Sequence, residues 1–312
     1  MNVKEFLWVE KYRPRTIENT ILPERMKTLF EKFIEKGDLP NLIFAGSSGV
    51  GKTTVAKALV SELGSSVLEI NGSLDGNKDT LRNEIREFAT SMSVDGKRKY
   101  VLLDEADGLT PQVQPALRTF MEDYSSNCGF ILTCNLPHKI IEPLHSRCSL
   151  INFKFTRKEK LSLMKQIVEN LFSILTKENV EFDKKTIVTF VNKFYPDIRK
   201  MIGTIQKYSA NGKIDAGLLT DFDENSLKTL LKSMKAKSFD GIRDWISHSD
   251  IDQHDVYQKL YDISKNEFTP AATAALIVLL GEYQYKAAFA INPDINLAAA
   301  LLEISANLDW KK

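Results

Sequence analysis

The sequence predicts an α/β fold built on a mostly parallel sheet, followed by two helical regions, and three observations lead there. Between residues 40 and 150, short apolar runs alternate with helical patterns, the signature of strands joined by crossover helices. A glycine-rich run, GSSGVGKT at 46–53, stands between the first strand and the helix after it, with every fixed position of G-x-x-x-x-G-K-[ST] in place. After TRKEK at 156–160 no clear strand remains, and apolar residues recur at helical spacing to the end.

Each element has a local reason. LIFA at 42–45 is an apolar run short enough for a buried strand, and TTVAKALVSEL, after the glycine-rich turn, carries its apolar residues at helical spacing. In that turn Gly46, Gly49 and Gly51 leave the backbone free to wrap an anion, and amides at the helix start point toward it. Lys52 reaches β and γ phosphates there, and the Thr53 hydroxyl is placed to ligate Mg²⁺. The loop therefore implies a nucleoside triphosphate. VLEI from 67 and YVLL from 100 are the next strands, the latter running into the acids of YVLLDEAD at 100–107. Ligands of such sheets collect at the carboxyl ends of strands, which sets Asp104 beside a metal held by Thr53 and places Glu105 to orient or deprotonate a water. An isolated Asp-Glu pair would equally be a strand end capped by solvated acids. FILTCN ends on Asn135, which can contact a γ phosphate or simply form a turn. Arg147, in IIEPLHSRC, is a surface arginine unless a neighbouring subunit brings a γ phosphate to it. LINF from 150 closes the sheet.

The helical part begins with LSLMKQIVENLFSIL and TIVTFVNKF. SANGKIDAG at 209–217 and DFDENS at 221–226 are rich in turn-forming and capping residues and suggest a second boundary. The expected division is 1–154 for the α/β domain, 155–218 for a helical subdomain and 219–312 for a terminal helical domain. The last helices, AATAALIVLLGEYQYKAAFA and LAAALLEISANL, are alanine-rich and apolar around much of their circumference, which suits close packing within a domain or against copies of it.

Composition narrows the classes. With 312 residues, 43% of them hydrophobic and 27% charged, the chain can bury a sizeable core. Lys+Arg 42 against Asp+Glu 41 leaves a net charge of +1, so any nucleic-acid contact must come from local basic patches. Cys128, Cys134 and Cys148 form no C-x-x-C pair and are odd in number, which argues against a disulfide scaffold and for a reducing cytosol. The longest apolar run, Ala271 to Leu280, is too short to span a bilayer, so no membrane partner is expected.

Taken together, WVEKYRP at 8–14, GSSGVGKT, LDEAD with LTPQVQPALRTFMEDYS after it, TCN and IIEPLHSRC resemble, in that order, the small subunits of AAA+ clamp loaders of the replication factor C type. The similarity covers most of residues 6–210. It is nearest to the T-even-like bacteriophage branch of that family, through TTVAKAL, FMEDYSSNC at 120–128 and FYPDIRKMIG at 194–203. The resemblance implies an AAA+ P-loop NTPase domain, a small helical lid and an all-helical collar domain for oligomerisation. It also implies ATP and Mg²⁺ as cofactors. Val9, Glu10, Lys11 and Tyr12, with Ile21 and Leu22, match the segment packed on adenine and ribose. Gly49, Val50, Gly51, Lys52 and Thr53 match the phosphate cradle, Asp104 and Glu105 the Walker B pair, and Asn135 sensor 1. Arg199 matches the sensor-2 arginine of the lid, and Arg147 the arginine finger that acts on the adjacent subunit. Two departures stand out: Leu22 where cellular relatives carry a glycine, and NGSLD where they carry N-A-S-D.

The implied partners are copies of the chain, a different clamp-loader subunit, a sliding clamp and primer-template DNA, in the cytoplasm, or the host's cytoplasm if the source is viral. Lys78 and Arg82 at a helix start, with Gln114 and Arg118 on the helix after the acidic motif, are candidate contacts to the DNA backbone. The implied activity is hydrolysis of ATP to drive clamp opening and loading. The alternatives are another AAA+ DNA motor or helicase loader, a nucleotide-gated scaffold, against which the intact Lys52, Thr53, Asp104, Glu105 set speaks, and a small-molecule kinase, which would need no finger.

Overall fold

The computed structural model describes residues 6–73, 78–91, 96–110, 113–210, 212–214, 224–248 and 253–311, without the side chains of 78–82 and 224–226. The chain forms two compact units, Met1–Ala216 and Gly217–Lys312.

In the first unit a short helix, α1 (Trp8–Lys11), and the amphipathic α2 (Glu24–Lys36) precede the sheet. Then follow β1 (Leu42–Ala45), α3 (Lys52–Leu63), β2 (Val67–Asn71), α4 (Lys78–Thr90), β3 (Lys99–Asp104), α5 (Gln114–Asp123), β4 (Cys128–Cys134), α6 (Glu142–His145) and β5 (Ser149–Asn152). The strands form one parallel sheet in the order β2-β3-β4-β1-β5. Each expected strand is present within a residue or two of its apolar run. β1 and β4 are buried along their whole length, as parallel strands covered on both faces must be.

Strand alternation divides the interior in two. Ile43, Val101, Leu103, Phe130 and Leu132 pack on one face with Leu117, Phe120 and Ile85. Leu42, Phe44, Tyr100, Leu102 and Ile131 pack on the other with Met26, Phe30, Val55 and Leu59. Because β1 lies between β4 and β5, its exit loop emerges beside the carboxyl ends of β4 and, one strand further, β3. That placement creates the cleft.

The helices after the sheet are α7 (Arg157–Lys177), α8 (Lys184–Phe194) and α9 (Ile198–Ser209). Each begins on a side-chain cap: Thr156, Asp183 and Asp197 accept from the backbone amides of Glu159, Thr186 and Lys200. Contrary to the expectation of no strand here, β6 (Glu181–Phe182) and β7 (Lys213–Ile214) pair in parallel. Two residues each are too few to carry a period, so their pairing depends on helix packing rather than pattern.

The second unit contains α10 (Glu224–Lys235), α11 (Phe239–His248), α12 (Gln253–Glu267), α13 (Pro270–Ala287) and α14 (Pro293–Asn307). Leu230, Met234, Ile242, Tyr257, Leu260, Leu276, Leu301 and Ile304 form its core. Thr269 and Asn292 cap the last two helices, each with proline in the first turn. Of the expected boundary segments 209–217 and 221–226, residues 211, 215–217 and 221–223 lie outside the described residues. Among the described residues no helix is long and apolar enough to cross a membrane.

Candidate functional site

The β1–α3 loop is built for an anion. Gly49 and Gly51 hold φ of 73° and 94°, the left-handed region that side chains with a Cβ disfavour. A Cβ on Gly51 would meet nothing within 4 Å, whereas one on Gly46 would lie 2.8 Å from Phe153 Cβ. Gly51 therefore serves the turn, and Gly46 serves packing against the strand beside it.

Lys52 is 8% exposed. Its ammonium donates to Gly46 O at 2.9 Å, Ser47 O at 2.8 Å and Asn135 Oδ1 at 2.8 Å. Burial lowers its pKa, against the opposing pull of Cys134, Asp104 and Asp107. Next to it Thr53 Oγ1 donates to Asp104 Oδ1 at 2.6 Å. Glu105, with φ 53°, follows directly. Asp107 Oδ2 accepts from the amides of Asn135 and Leu136 at 3.1 and 3.0 Å, which fixes the turn after β4.

A cleft of about 1020 Å³, its open mouth included, joins these groups to the helices beyond the sheet, a size that suits a nucleotide. Val9, Tyr12, Ile21, Gly49, Val50, Gly51, Lys52, Thr53, Asp104, Glu105, Asn135 and Arg199 all line it. Ile198 N–H donates to Gly49 O at 3.0 Å, so the start of α9 rests on the phosphate loop. The hydroxyl and carboxylate of Thr53 and Asp104 are the hard oxygen donors Mg²⁺ prefers, and the glycine cradle with its lysine suits phosphates.

Several expected residues point elsewhere. Leu22 is 1% exposed inside the core, which removes it from the adenine segment. Glu10 is engaged by Arg13. Lys11 joins Glu178 at 2.6 Å, and the Tyr12 hydroxyl donates to the same carboxylate. These contacts turn Glu10 and Lys11 outside the cleft lining and tie α1 to the end of α7. Gln114, expected to face DNA, is 2% exposed. Its amide donates to Lys139 O at 3.0 Å and accepts from Ile141 N–H at 2.8 Å, so it braces the β4–α6 connection. Arg118 remains exposed beside Glu122 at 3.8 Å. The side chains of Lys78 and Arg82 lie outside the described residues. Arg147 is not part of the cleft; its guanidinium is held by Glu122 and Pro143 O.

The cleft also takes in residues that sequence reasoning passed over: Arg13, Thr20, Thr133, Asn170 and Ile202. No local pattern marks Asn170 or Ile202, which reach the site from α7 and α9. Thr133 stands two residues before Asn135 in a strand already identified.

Comparison with known proteins agrees with this geometry. The family model described as ATPase family associated with various cellular activities (AAA) matches residues 42–155. The model for the sliding-clamp-loader large subunit, AAA+ ATPase lid domain, matches 159–220. The sliding-clamp-loader large subunit of Escherichia phage RB69 is 36% identical over 100% of this chain and 99% of its own length. That of Enterobacteria phage T4 is 36% identical over the same shares. The replication factor C small subunit of Saccharolobus solfataricus is 33% identical over 97% of this chain and 95% of its own. Among solved structures, a Thermotoga maritima RuvB mutant superposes with TM-score 0.57 at 16% identity, covering 91% of this chain and 90% of that one, a likeness of fold alone. The chain belongs to the clamp-loader family of AAA+ ATPases and is a nucleotide-binding ATPase subunit of a clamp-loader complex in DNA replication.

Proposed function

We propose that the chain binds ATP with Mg²⁺ in this cleft, assembles with copies of itself and at least one different subunit, opens a sliding clamp and closes it on primer-template DNA as ATP is hydrolysed. The observation that supports it most is the convergence of Lys52, Thr53, Asp104, Glu105, Asn135 and Arg199, from three strand ends and α9, on one cleft. Val9, Tyr12 and Ile21 contact the base and ribose. The amides of Gly49 to Thr53 and the Lys52 ammonium hold the phosphates. Thr53 and Asp104 hold Mg²⁺, which when bound neutralises charge developing on the phosphates. Glu105 takes the proton of the attacking water, and Asn135 orients that water or the γ phosphate. Lys52 exchanges its contact with Asn135 for phosphate oxygens. Arg199, on the helix that touches Gly49, couples the lid angle to the γ phosphate.

Arg147 serves the neighbouring subunit's nucleotide, consistent with its position outside its own cleft. We assign 1–154 to the AAA+ domain, 155–218 to the lid and 219–312 to an oligomerising collar. Arg118, Lys78 and Arg82 remain candidates for the DNA backbone. The three free cysteines suit a cytoplasmic setting, in a host cell if the source is viral.

The test is steady-state ATP hydrolysis with and without primer-template DNA and a sliding clamp, with Arg147→Ala titrated into wild type. Stimulation by both ligands and poisoning by the variant are expected. A rate that ignores the clamp, with mixed assemblies unaffected, would move the chain to another class of AAA+ DNA motor.

A further inference from the structure

We infer that Thr133 is the positioning residue of the acidic pair, one hydroxyl that sets both the Asp104 carboxylate and the backbone of Glu105. This rests on the ATPase reading above.

Thr133 is the penultimate residue of β4 and is 1% exposed. A hydroxyl has one proton to give and lone pairs to accept with, and here each is committed to a different member of the pair. Thr133 Oγ1 donates to Asp104 Oδ1 at 2.5 Å and accepts the Glu105 N–H at 3.1 Å. The same Asp104 oxygen receives the Thr53 hydroxyl at 2.6 Å. Strand register produces this arrangement: β3 and β4 pair Leu103 with Leu132, so the next residue on each strand brings Thr133 beside Asp104.

The demand for such a tie is visible at Glu105. Its φ of 53° is one of three positive values at non-glycine residues among those described, and a glutamate holds that conformation only where its surroundings fix it. Gly108 N–H returns to Glu105 O at 2.8 Å, so the peptide is held at its carbonyl by the following turn and at its amide by Thr133. Remove the hydroxyl and the Glu105 amide loses its side-chain acceptor while Asp104 loses one of the two hydroxyl donors on its Oδ1. The acidic side chains would still be present but no longer aimed. Misplacement of a reacting group by about an ångström can cost about a hundredfold in rate.

A threonine that merely satisfies the strand interior would act differently, since its loss would lower stability and affect every property of the cleft together. The experiment compares Thr133→Val, which keeps the shape without the hydroxyl, with Thr133→Ser, which keeps the hydroxyl. The full chain is used in its assembly. Turnover, melting temperature and the affinity for a fluorescent ATP analogue, with Mg²⁺ titrated in the absence of turnover, are measured on each. Expected for Thr133→Val are a kcat lower by about tenfold to a hundredfold, a KM and Mg²⁺-free nucleotide affinity within about threefold of wild type, and a higher Mg²⁺ concentration for half-effect. Thr133→Ser should recover most of kcat. In a Glu105→Gln background, Thr133→Val should add little further loss, because both act on one group.

Unchanged kcat in a folded Thr133→Val, or losses fully additive with Glu105→Gln, would overturn the assignment. If the valine variant does not fold, Thr133→Ala against Thr133→Ser isolates the hydroxyl, and equal rates for those two overturn it. A wild-type assembly without Mg²⁺-dependent hydrolysis would instead sink the underlying ATPase reading.

Discussion

Gly49 and Gly51 share a left-handed backbone, yet a methyl group at each meets a different fate. At Gly51 it would project into open space, while at Gly49 it would lie 1.8 Å from Asp197 Oδ1, at the cap of α9. Both Gly→Ala changes carry backbone strain of about 1–2 kcal/mol, but only Gly49→Ala must also displace the Asp197 carboxylate that caps α9, beside the Ile198 to Gly49 hydrogen bond. Gly49→Ala is therefore expected to weaken nucleotide binding by at least about tenfold more than Gly51→Ala, as read by titration with a fluorescent nucleotide. Equal effects would mean that the Asp197 contact carries no weight. At this scale the sequence was informative where spacing encodes chemistry, as in Lys52, Thr53 and Asp104. It misled where polarity was taken for exposure: Gln114 is polar at a helix start, yet it is buried and its amide is used up on a backbone carbonyl and a backbone amide of a neighbouring loop. Thr133 was hidden for a different reason, because its partner is on another strand and only register brings them together.

Among the elements, α7 shows how a helix start links two regions. Thr156 and Glu159 cap each other reciprocally, and Glu159 also reaches Arg25 of α2 at 2.6 Å. The Thr156 amide, then Arg25 and the Thr156 hydroxyl, draw the Glu159 carboxyl down to about 2. A carboxylate whose folded pKa lies below its unfolded value stabilises the fold fully above the unfolded value of 4.5 and loses that contribution as pH falls toward about 2. Glu159→Gln retains an acceptor for the cap and removes the charge. Wild type should therefore melt above Glu159→Gln at pH 7, and the gap should narrow steadily below pH 4.5. A gap of constant size across that range would refute the ion-pair contribution. Thr156→Ala, which removes the cap itself, should cost about 1 kcal/mol in chemical denaturation. The five sheet strands could be read from sequence because strands buried on both faces appear as continuous apolar runs bounded by turn residues. β6 and β7 could not, because the register of two residues is set by α7, α8 and α9 around them.

On the scale of the molecule, the cleft collects every sequence-predicted catalytic residue except Arg147, which its own Glu122 holds elsewhere. Hydrolysis should then depend on contact between copies, and residues 217–312 offer the means. Val278 and Tyr285 of α13 are each 71% exposed, and Phe289, Ile291 and Ile295 are exposed nearby in sequence. Burying side chains of this kind is worth about 1.5–3 kcal/mol each, so under the proposed function these exposed apolar residues are the ones expected to hold the assembly together. Val278→Glu combined with Tyr285→Glu is expected to lower the assembly mass in light scattering, leave the affinity for a fluorescent nucleotide within about twofold, and reduce hydrolysis to the level of Arg147→Ala, a loss of roughly a thousandfold if the finger acts as trans arginines do. Intact assembly would place the contact on another face. Full hydrolysis by separated subunits would show that the finger is not supplied in trans.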